Sequence, residues 1–132
     1  QFDKPSLAFS PGQYVYLKIP LLSVFEWHPF TLTSSPHDEL HTVHIRVTGE
    51  WTRRLAECLH IDYKPDGSAF CHPLSCLPEI MIDGPYGHGW NTVLERSFGD
   101  GVVVCIGAGI GQTPFASILK TWWYHELYTT HK

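Results

Sequence analysis

The feature that most constrains the fold lies near the end of the chain. An unbroken apolar run, Val102-Val103-Val104-Cys105-Ile106, leads into a glycine-rich turn, Gly107-Ala108-Gly109-Ile110-Gly111, and then into a helical pattern. A strand with no polar alternation predicts burial on both faces, as in a parallel sheet covered by helices. On that reading Cys105 is a core residue. The helix start is marked by Thr113 as N-cap and Pro114 at the first helical position, where the missing N–H is no loss. Phe115, Ile118, Leu119 and Trp122 then recur at helical spacing as an apolar stripe. The whole reads as one strand-turn-helix unit of a doubly wound α/β domain. Glycines let a phosphate or a ring approach the backbone, and the helix start directs N–H groups and a positive dipole end at the same spot. Gly107, Gly109, Gly111, Thr113 and Pro114 are therefore candidate nucleotide contacts. The pattern is G-x-G-x-G, with Gln112 where the usual dinucleotide fingerprint has its third glycine. The motif alone does not separate a nucleotide site from a tight structural turn.

The preceding part reads as β. After the turn signal Ser10-Pro11-Gly12-Gln13, Val15, Leu17 and Ile19 alternate with Tyr14, Tyr16 and Lys18, the period of a half-buried strand. Trp27 to Thr33 is a second strand candidate. Thr42 to Thr48 is a third, with Val43, Ile45 and Val47 on one face and His44 and Arg46 on the other. A short helix is predicted from about Trp51 to Leu59, with Trp51, Leu55, Cys58 and Leu59 on one face. His60 to Pro78, broken by Pro65, Gly67, Pro73 and Pro78, reads as a surface loop or insertion. Glu79 to Ile82 reads as a short strand ended by the turn Asp83-Gly84-Pro85. A domain boundary is expected between Asn91 and Asp100. With a single strand-turn-helix unit, the second domain is expected to be incomplete. Both ends of the chain read as cuts through a longer protein.

Composition narrows the function classes. The net charge of −4 and the absence of a basic run argue against a nucleic-acid surface. The longest apolar stretch falls short of the roughly 18 residues that a membrane span needs. The four cysteines are scattered. Cys71, His72 and Cys76, with Cys58 and His60 upstream, lack a paired C-x2-C spacing, so free thiols in a loop are favoured over zinc. His44 and Arg46 would offer donors to an anion. Thr52 lies at a helix start, where unpaired N–H groups also favour one. Spacing alone nevertheless favours an ordinary solvated strand face with an ordinary cap.

Taken together, five blocks occur in an order that resembles the NADPH oxidase family. They are His28-Pro29-Phe30-Thr31-Leu32-Thr33-Ser34-Ser35-Pro36, His44-Ile45-Arg46, Gly49-Glu50-Trp51-Thr52, Asp83-Gly84-Pro85-Tyr86-Gly87, and Gly107 through Gln112-Thr113-Pro114-Phe115-Ala116-Ser117-Ile118-Leu119. The resemblance runs from Pro11 to Tyr124. It implies a ferredoxin-reductase-like FAD-binding β-barrel over residues 1–97, incomplete at its start, followed at 98–132 by the first strand-turn-helix of a Rossmann-like NADPH-binding lobe. By that resemblance the strand of His28, Pro29, Phe30 and Thr31 lies against the flavin, with Phe30 and Thr31 at the isoalloxazine ring and its polar edge and His28 near the FAD phosphates or ribose. His44, Arg46 and Thr52 complete the phosphate site. The turn at Gly107, Gly109, Gly111, Thr113 and Pro114 meets NADPH, and Asp83–Gly87 lies near the flavin.

The implied reaction is hydride transfer from NADPH to FAD, then single-electron transfer through haems of a membrane domain to oxygen, giving superoxide. The cytosolic face of a membrane is the implied location, with regulatory subunits or a calcium-binding domain as implied partners. The 60–78 insertion resembles the calcium-regulated branch. Gln112 departs from the pattern, which has an aliphatic residue there. A ferric or metal reductase of the same superfamily and a non-catalytic fragment acting as a binding module are the alternatives.

Overall fold

The computed structural model describes residues 2–3, 7–64, 66, 68–71, 77–90 and 102–130. In chain order the elements are β1 (Phe2–Asp3), β2 (Tyr14–Lys18), β3 (His28–Thr31), β4 (Leu40–His41), α1 (Glu50–Cys58), β5 (Ile61–Tyr63), β6 (Ala69–Cys71), β7 (Met81–Tyr86), a 3-10 turn (Gly109–Gln112) and α2 (Thr113–Thr130). They form a three-stranded sheet in the order β3-β2-β7 and two antiparallel pairs, β1-β4 and β5-β6. The alternation in β2 is realised as predicted. Val15, Leu17 and Ile19 are buried, while Tyr14, Tyr16 and Lys18 are only partly covered.

The chain resolves into two compact units. One comprises Gln1–Tyr16, Pro29–His44 and Asp83–Lys132, and the other Leu17–His28 and Ile45–Ile82. In the first, Val15, Leu32 and Ile118 are buried beside an unusual number of small polar groups: Thr33, Ser34, Ser35 and Ser117 are all closed off from solvent. His41 is buried too, its ring edge-on to Phe9 at 5.2 Å. In the second, Leu17, Ile19, Trp51, Leu55 and Ala56 form the apolar interior.

Helix α1 follows its amphipathic pattern, and Ala56 joins the buried face that Trp51 and Leu55 define. The N–H groups of Thr48 and Gly49 donate to Thr52 Oγ1 at 3.1 and 3.0 Å, an N3 side chain reaching back to satisfy amides ahead of the helix.

Four expectations are corrected. Residues 60–78 are not all loop: Ile61–Tyr63 and Ala69–Cys71 pair in register, Ile61 with Cys71 and Tyr63 with Ala69. Two three-residue strands with only a short connection between them close into a hairpin. Strand β7 does not stop at Asp83 but runs through Gly84 and Pro85 to Tyr86. Gly84 allows this at φ +135°, where an added Cβ would crowd the Tyr14 carbonyl and Val15 Cγ1, each at 3.3 Å.

The third candidate strand is realised only as β4 and a single bridge from Val43 to Leu32. Burial still alternates from Val43 to Thr48, with His44 and Arg46 outward. The fourth correction concerns 102–106, which form no strand. Val102 is 90% and Ile106 87% exposed, and Cys105 is exposed rather than a core residue. A strand buried on both faces needs sheet neighbours and helical cover, and no described residues supply them here. The expected boundary at 91–100 lies outside the described residues.

Candidate functional site

The unit formed by 17–28 and 45–82 holds His28, Arg46 and Thr52 of the residues assigned to phosphate recognition, whereas His44, assigned with them, belongs to the other unit. The His28 ring stacks on Trp51, with centroids 4.1 Å apart and planes at 29°. That stack fixes the imidazole over the first turn of the helix. His28 Nε2 is buried and makes no hydrogen bond among the described residues; Glu26 Oε2 stands 3.8 Å away. A buried polar nitrogen without a hydrogen-bond partner costs free energy unless a further group completes it. Arg46 is exposed and makes no ion pair among the described residues. Arg53, by contrast, is engaged with Glu50 at 3.4 Å.

The Thr52 hydroxyl is committed. Besides accepting from two amides it donates to the Gly49 carbonyl at 3.0 Å. The start of α1 therefore offers an anion one imidazole and the first-turn amides of a helix, which have no acceptor within the helix itself, and the exposed Arg46 precedes it by four residues. These residues fit a phosphate-bearing cofactor. Trp51, read from the sequence as a core residue only, is the platform that orients His28. Its proximity to His28 spans 23 positions, and no local pattern announces it.

In the other unit, Pro29 is exposed, and Phe30 and Thr31 are half-buried on β3. Beyond β3, Thr33 turns inward and organises the neighbouring chain. Its N–H donates to the Thr42 carbonyl at 2.8 Å, and its hydroxyl lies 3.1 Å from that carbonyl and 2.9 Å from His44 Nδ1. His44 is thereby held against the glycine-rich turn. Together with Thr33, Gly109, Ile110, Gln112, Thr113 and Ala116 it lines a cleft of about 230 Å³. The structure thus brings His44, Gly109 and Thr113 together. Gly107 packs under the Phe115 ring, where a Cβ would stand 3.0 Å from Cε2, and Pro114 sits in the first turn of α2.

Thr113 does not cap α2 as expected. Its hydroxyl donates backward to the Ile110 carbonyl at 2.9 Å, tightening the 3-10 turn. The Asp83–Gly87 segment carries an aromatic cluster in which Tyr86 lies 5.6 Å from Tyr16 and 5.9 Å from Tyr14. The Tyr86 phenol donates to Asp83 at 2.8 Å, and that bond holds its pKa above the usual value.

Helix α2 is fastened to the segment after β3 by polar groups more than by its apolar stripe. Leu119 and Trp122 of the predicted stripe are 52% and 41% exposed, whereas Ser117 is fully buried. Ser117 Oγ donates to the Ser34 carbonyl at 2.6 Å, and Thr121 Oγ1 lies 3.1 Å from Ser35 Oγ. Asp38 accepts from the Ser35 N–H at 2.9 Å and pairs with Lys120 at 3.4 Å. Partial burial pushes the Asp38 carboxyl up, but the bonds from Ser35 and Tyr124 and the Lys120 charge outweigh it, and the net pKa is lowered.

A lowered folded-state pKa means that the carboxylate adds stability above the unfolded value, and that this is lost as pH falls through the folded one. The melting-temperature advantage of the wild type over Asp38→Asn should be full above about pH 5 and shrink steadily below about pH 4. Paired thermal melts across that range measure it. An advantage that did not change with pH would remove the charge from the account.

Among the described residues, no group of three metal-ligating side chains exists and no helix is long and apolar enough to cross a membrane. His72 and Cys76 lie outside the described residues.

A glycine-rich turn leading into a helix is a feature of nucleotide-binding folds. Residues 1–89 match the family described as FAD-binding domain, and the chain belongs to that family. Among curated proteins it is 44% identical over 124 residues to NADPH oxidase 1 of Mus musculus, covering 94% of this chain and 18% of that protein. It is 45% identical over 121 residues to NADPH oxidase 3 of Homo sapiens, covering 92% and 20%. It is 41% identical over 123 residues to a superoxide-generating NADPH oxidase heavy chain of Dictyostelium discoideum, covering 85% and 21%. The chain spans about a fifth of the length of these relatives.

Proposed function

We propose that this chain is the flavin-binding part of an NADPH oxidase dehydrogenase region, with residues 1–97 as the FAD domain and 98–132 opening the nucleotide lobe. The observation that carries the reading is the match of residues 1–89 to the FAD-binding family, joined to 41%, 44% and 45% identity with oxidases across most of the chain.

His28, Arg46 and the first turn of α1, which includes Thr52, take the pyrophosphate. Pro29, Phe30 and Thr31 flank the ring system, and the turn at Gly107, Gly109, Gly111, Thr113 and Pro114 receives the nicotinamide nucleotide. His44, expected from the resemblance at the phosphate site, is reassigned to this turn because it lines the same cleft as Gly109 and Thr113. FAD, when bound, supplies the redox chemistry, accepting hydride from NADPH and releasing single electrons toward haem and oxygen in the parent protein. The residues themselves bind, orient and shield; none acts as an acid or base in this reading. The parent is placed at a membrane, with this region on the cytosolic face. Calcium-binding or other regulatory partners belong to that parent.

The test is flavin uptake by the purified chain. Expected are a yellow protein, a protein-bound flavin absorption band and quenched flavin fluorescence on titration with FAD. Absence of saturable uptake by a chain with native circular dichroism would sink the reading.

A further inference from the structure

The cleft beside the glycine-rich turn is walled by Gly109, Ile110 and Ala116 and carries four polar side chains, Thr33, His44, Gln112 and Thr113. The Thr113 hydroxyl is bonded to the Ile110 carbonyl and the Thr33 hydroxyl to the 42–44 segment, which leaves His44 and Gln112 to address a ligand. The two are in different states. His44 Nδ1 is held by Thr33 Oγ1 at 2.9 Å, and Thr33 is buried and fixed in turn by Thr42. The Thr33 hydroxyl has one proton, and the Thr42 carbonyl at 3.1 Å only accepts. Thr42 Oγ1 stands 3.0 Å from the same hydroxyl. We assign the Thr33 proton to the Thr42 carbonyl; with that assignment Nδ1–H donates to Thr33 and Nε2 is an acceptor. Gln112 follows immediately on the last glycine, and its amide makes no hydrogen bond among the described residues. An aliphatic residue at that position would offer the cleft no hydrogen bond.

We infer that His44 and Gln112 form a recognition pair for the carboxamide of a flat heteroaromatic ring, setting the specificity of this cleft for an amide over the corresponding acid. The inference rests on the reading of the glycine turn as the nicotinamide-nucleotide site, and it names the groups that choose the ligand there. A carboxamide donates from its NH2 to His44 Nε2 and exchanges its second bond with the Gln112 amide. A carboxylate has no proton to donate to Nε2, and one acceptor then faces another. Thr33 acts through His44, as a positioning residue that fixes the tautomer and the ring.

The experiment titrates the full-length chain, with and without saturating FAD, with nicotinamide mononucleotide and with nicotinic acid mononucleotide, which share the ribose phosphate. Amide chemical shifts or calorimetry give the two affinities. The wild type should prefer the amide by roughly 10-fold or more, since a site built to donate and accept rejects a ligand lacking the partner. Gln112→Leu and His44→Phe should each bring the preference to about 2- to 3-fold while circular dichroism stays native.

An unchanged preference in both variants overturns the pair, as does no saturable binding of the amide. Displacement of FAD by nicotinamide mononucleotide also overturns it, because the cleft would then belong to the flavin. Failure to take up FAD with the amide preference intact counts against the flavin reading alone. FAD uptake without any amide preference counts against the pair alone.

Discussion

Replacing Arg46 by alanine is expected to weaken FAD binding by roughly 10- to 100-fold, the worth of a charge-assisted phosphate contact of about 1.5–3 kcal/mol. Arg53→Ala is the matched comparison. Arg53 is seven residues away, equally cationic and exposed, but already spent on Glu50 at 3.4 Å. An exposed pair at this spacing on a helix contributes about 0.5 kcal/mol or less, so FAD affinity should change less than about twofold. Both substitutions remove one positive charge, so any general electrostatic attraction of the pyrophosphate is lost equally, and the difference isolates the local contact. Fluorescence titration at two ionic strengths measures it. Equal losses in the two variants would remove Arg46 from the phosphate site. Because Arg46 is a surface side chain, its truncation should leave the melting temperature within a few degrees of the wild type.

The second large effect concerns stability rather than binding. Ser117→Val should destabilise the chain by about 2–4 kcal/mol. The substitution removes the 2.6 Å bond to the Ser34 carbonyl and forces extra methyl volume into a site with no solvent access. Ser117→Ala removes the bond without adding volume and should cost about 1–2 kcal/mol. Ser68→Ala, at an exposed turn where the hydroxyl donates to the Asp66 carboxylate, should cost about 0.5 kcal/mol or less. Urea denaturation followed by circular dichroism gives the three values. A Ser117→Val chain as stable as the wild type would mean that the helix is held by Ile118 and Phe115 rather than by its hydroxyls. The consequence reaches the site, because the same helix carries the glycine-rich turn at its start.

The two effects differ in how far the sequence announced them. Arg46 stands out as the outward partner of His44 in an alternating segment, and that periodicity survives even though most of the segment lacks ladder bonds. Ser117 gives no signal at all. A serine between apolar stripe positions reads as a solvated residue, and its partner lies 83 positions away. Exposed Leu119 and Trp122 show the same point in reverse. Helical spacing predicts a stripe, but which stripe residues are covered depends on what the helix meets, and α2 meets a serine-lined backbone.

His44 falls between these cases. Its outward direction was legible and its neighbour was not, because the Thr33 hydroxyl that turns the ring toward the glycine turn is reached only once the Leu32–Val43 bridge brings the two segments together.

By itself, then, the sequence determined whatever depends on local period and covalent stiffness. That covers the alternating face of β2, the buried face of α1, the glycines that keep the 107–111 turn open, and the motif order that points to a flavin-binding family. Tertiary structure alone decided that 102–106 stays exposed, that β7 continues through Gly84 and Pro85, that His28 lies on Trp51, and that His44 faces Gly109 and Thr113. The physical reason is common to all four. Burial, stacking and hydrogen bonding between residues tens of positions apart are properties of the assembled chain, and no window of neighbouring residues contains both partners.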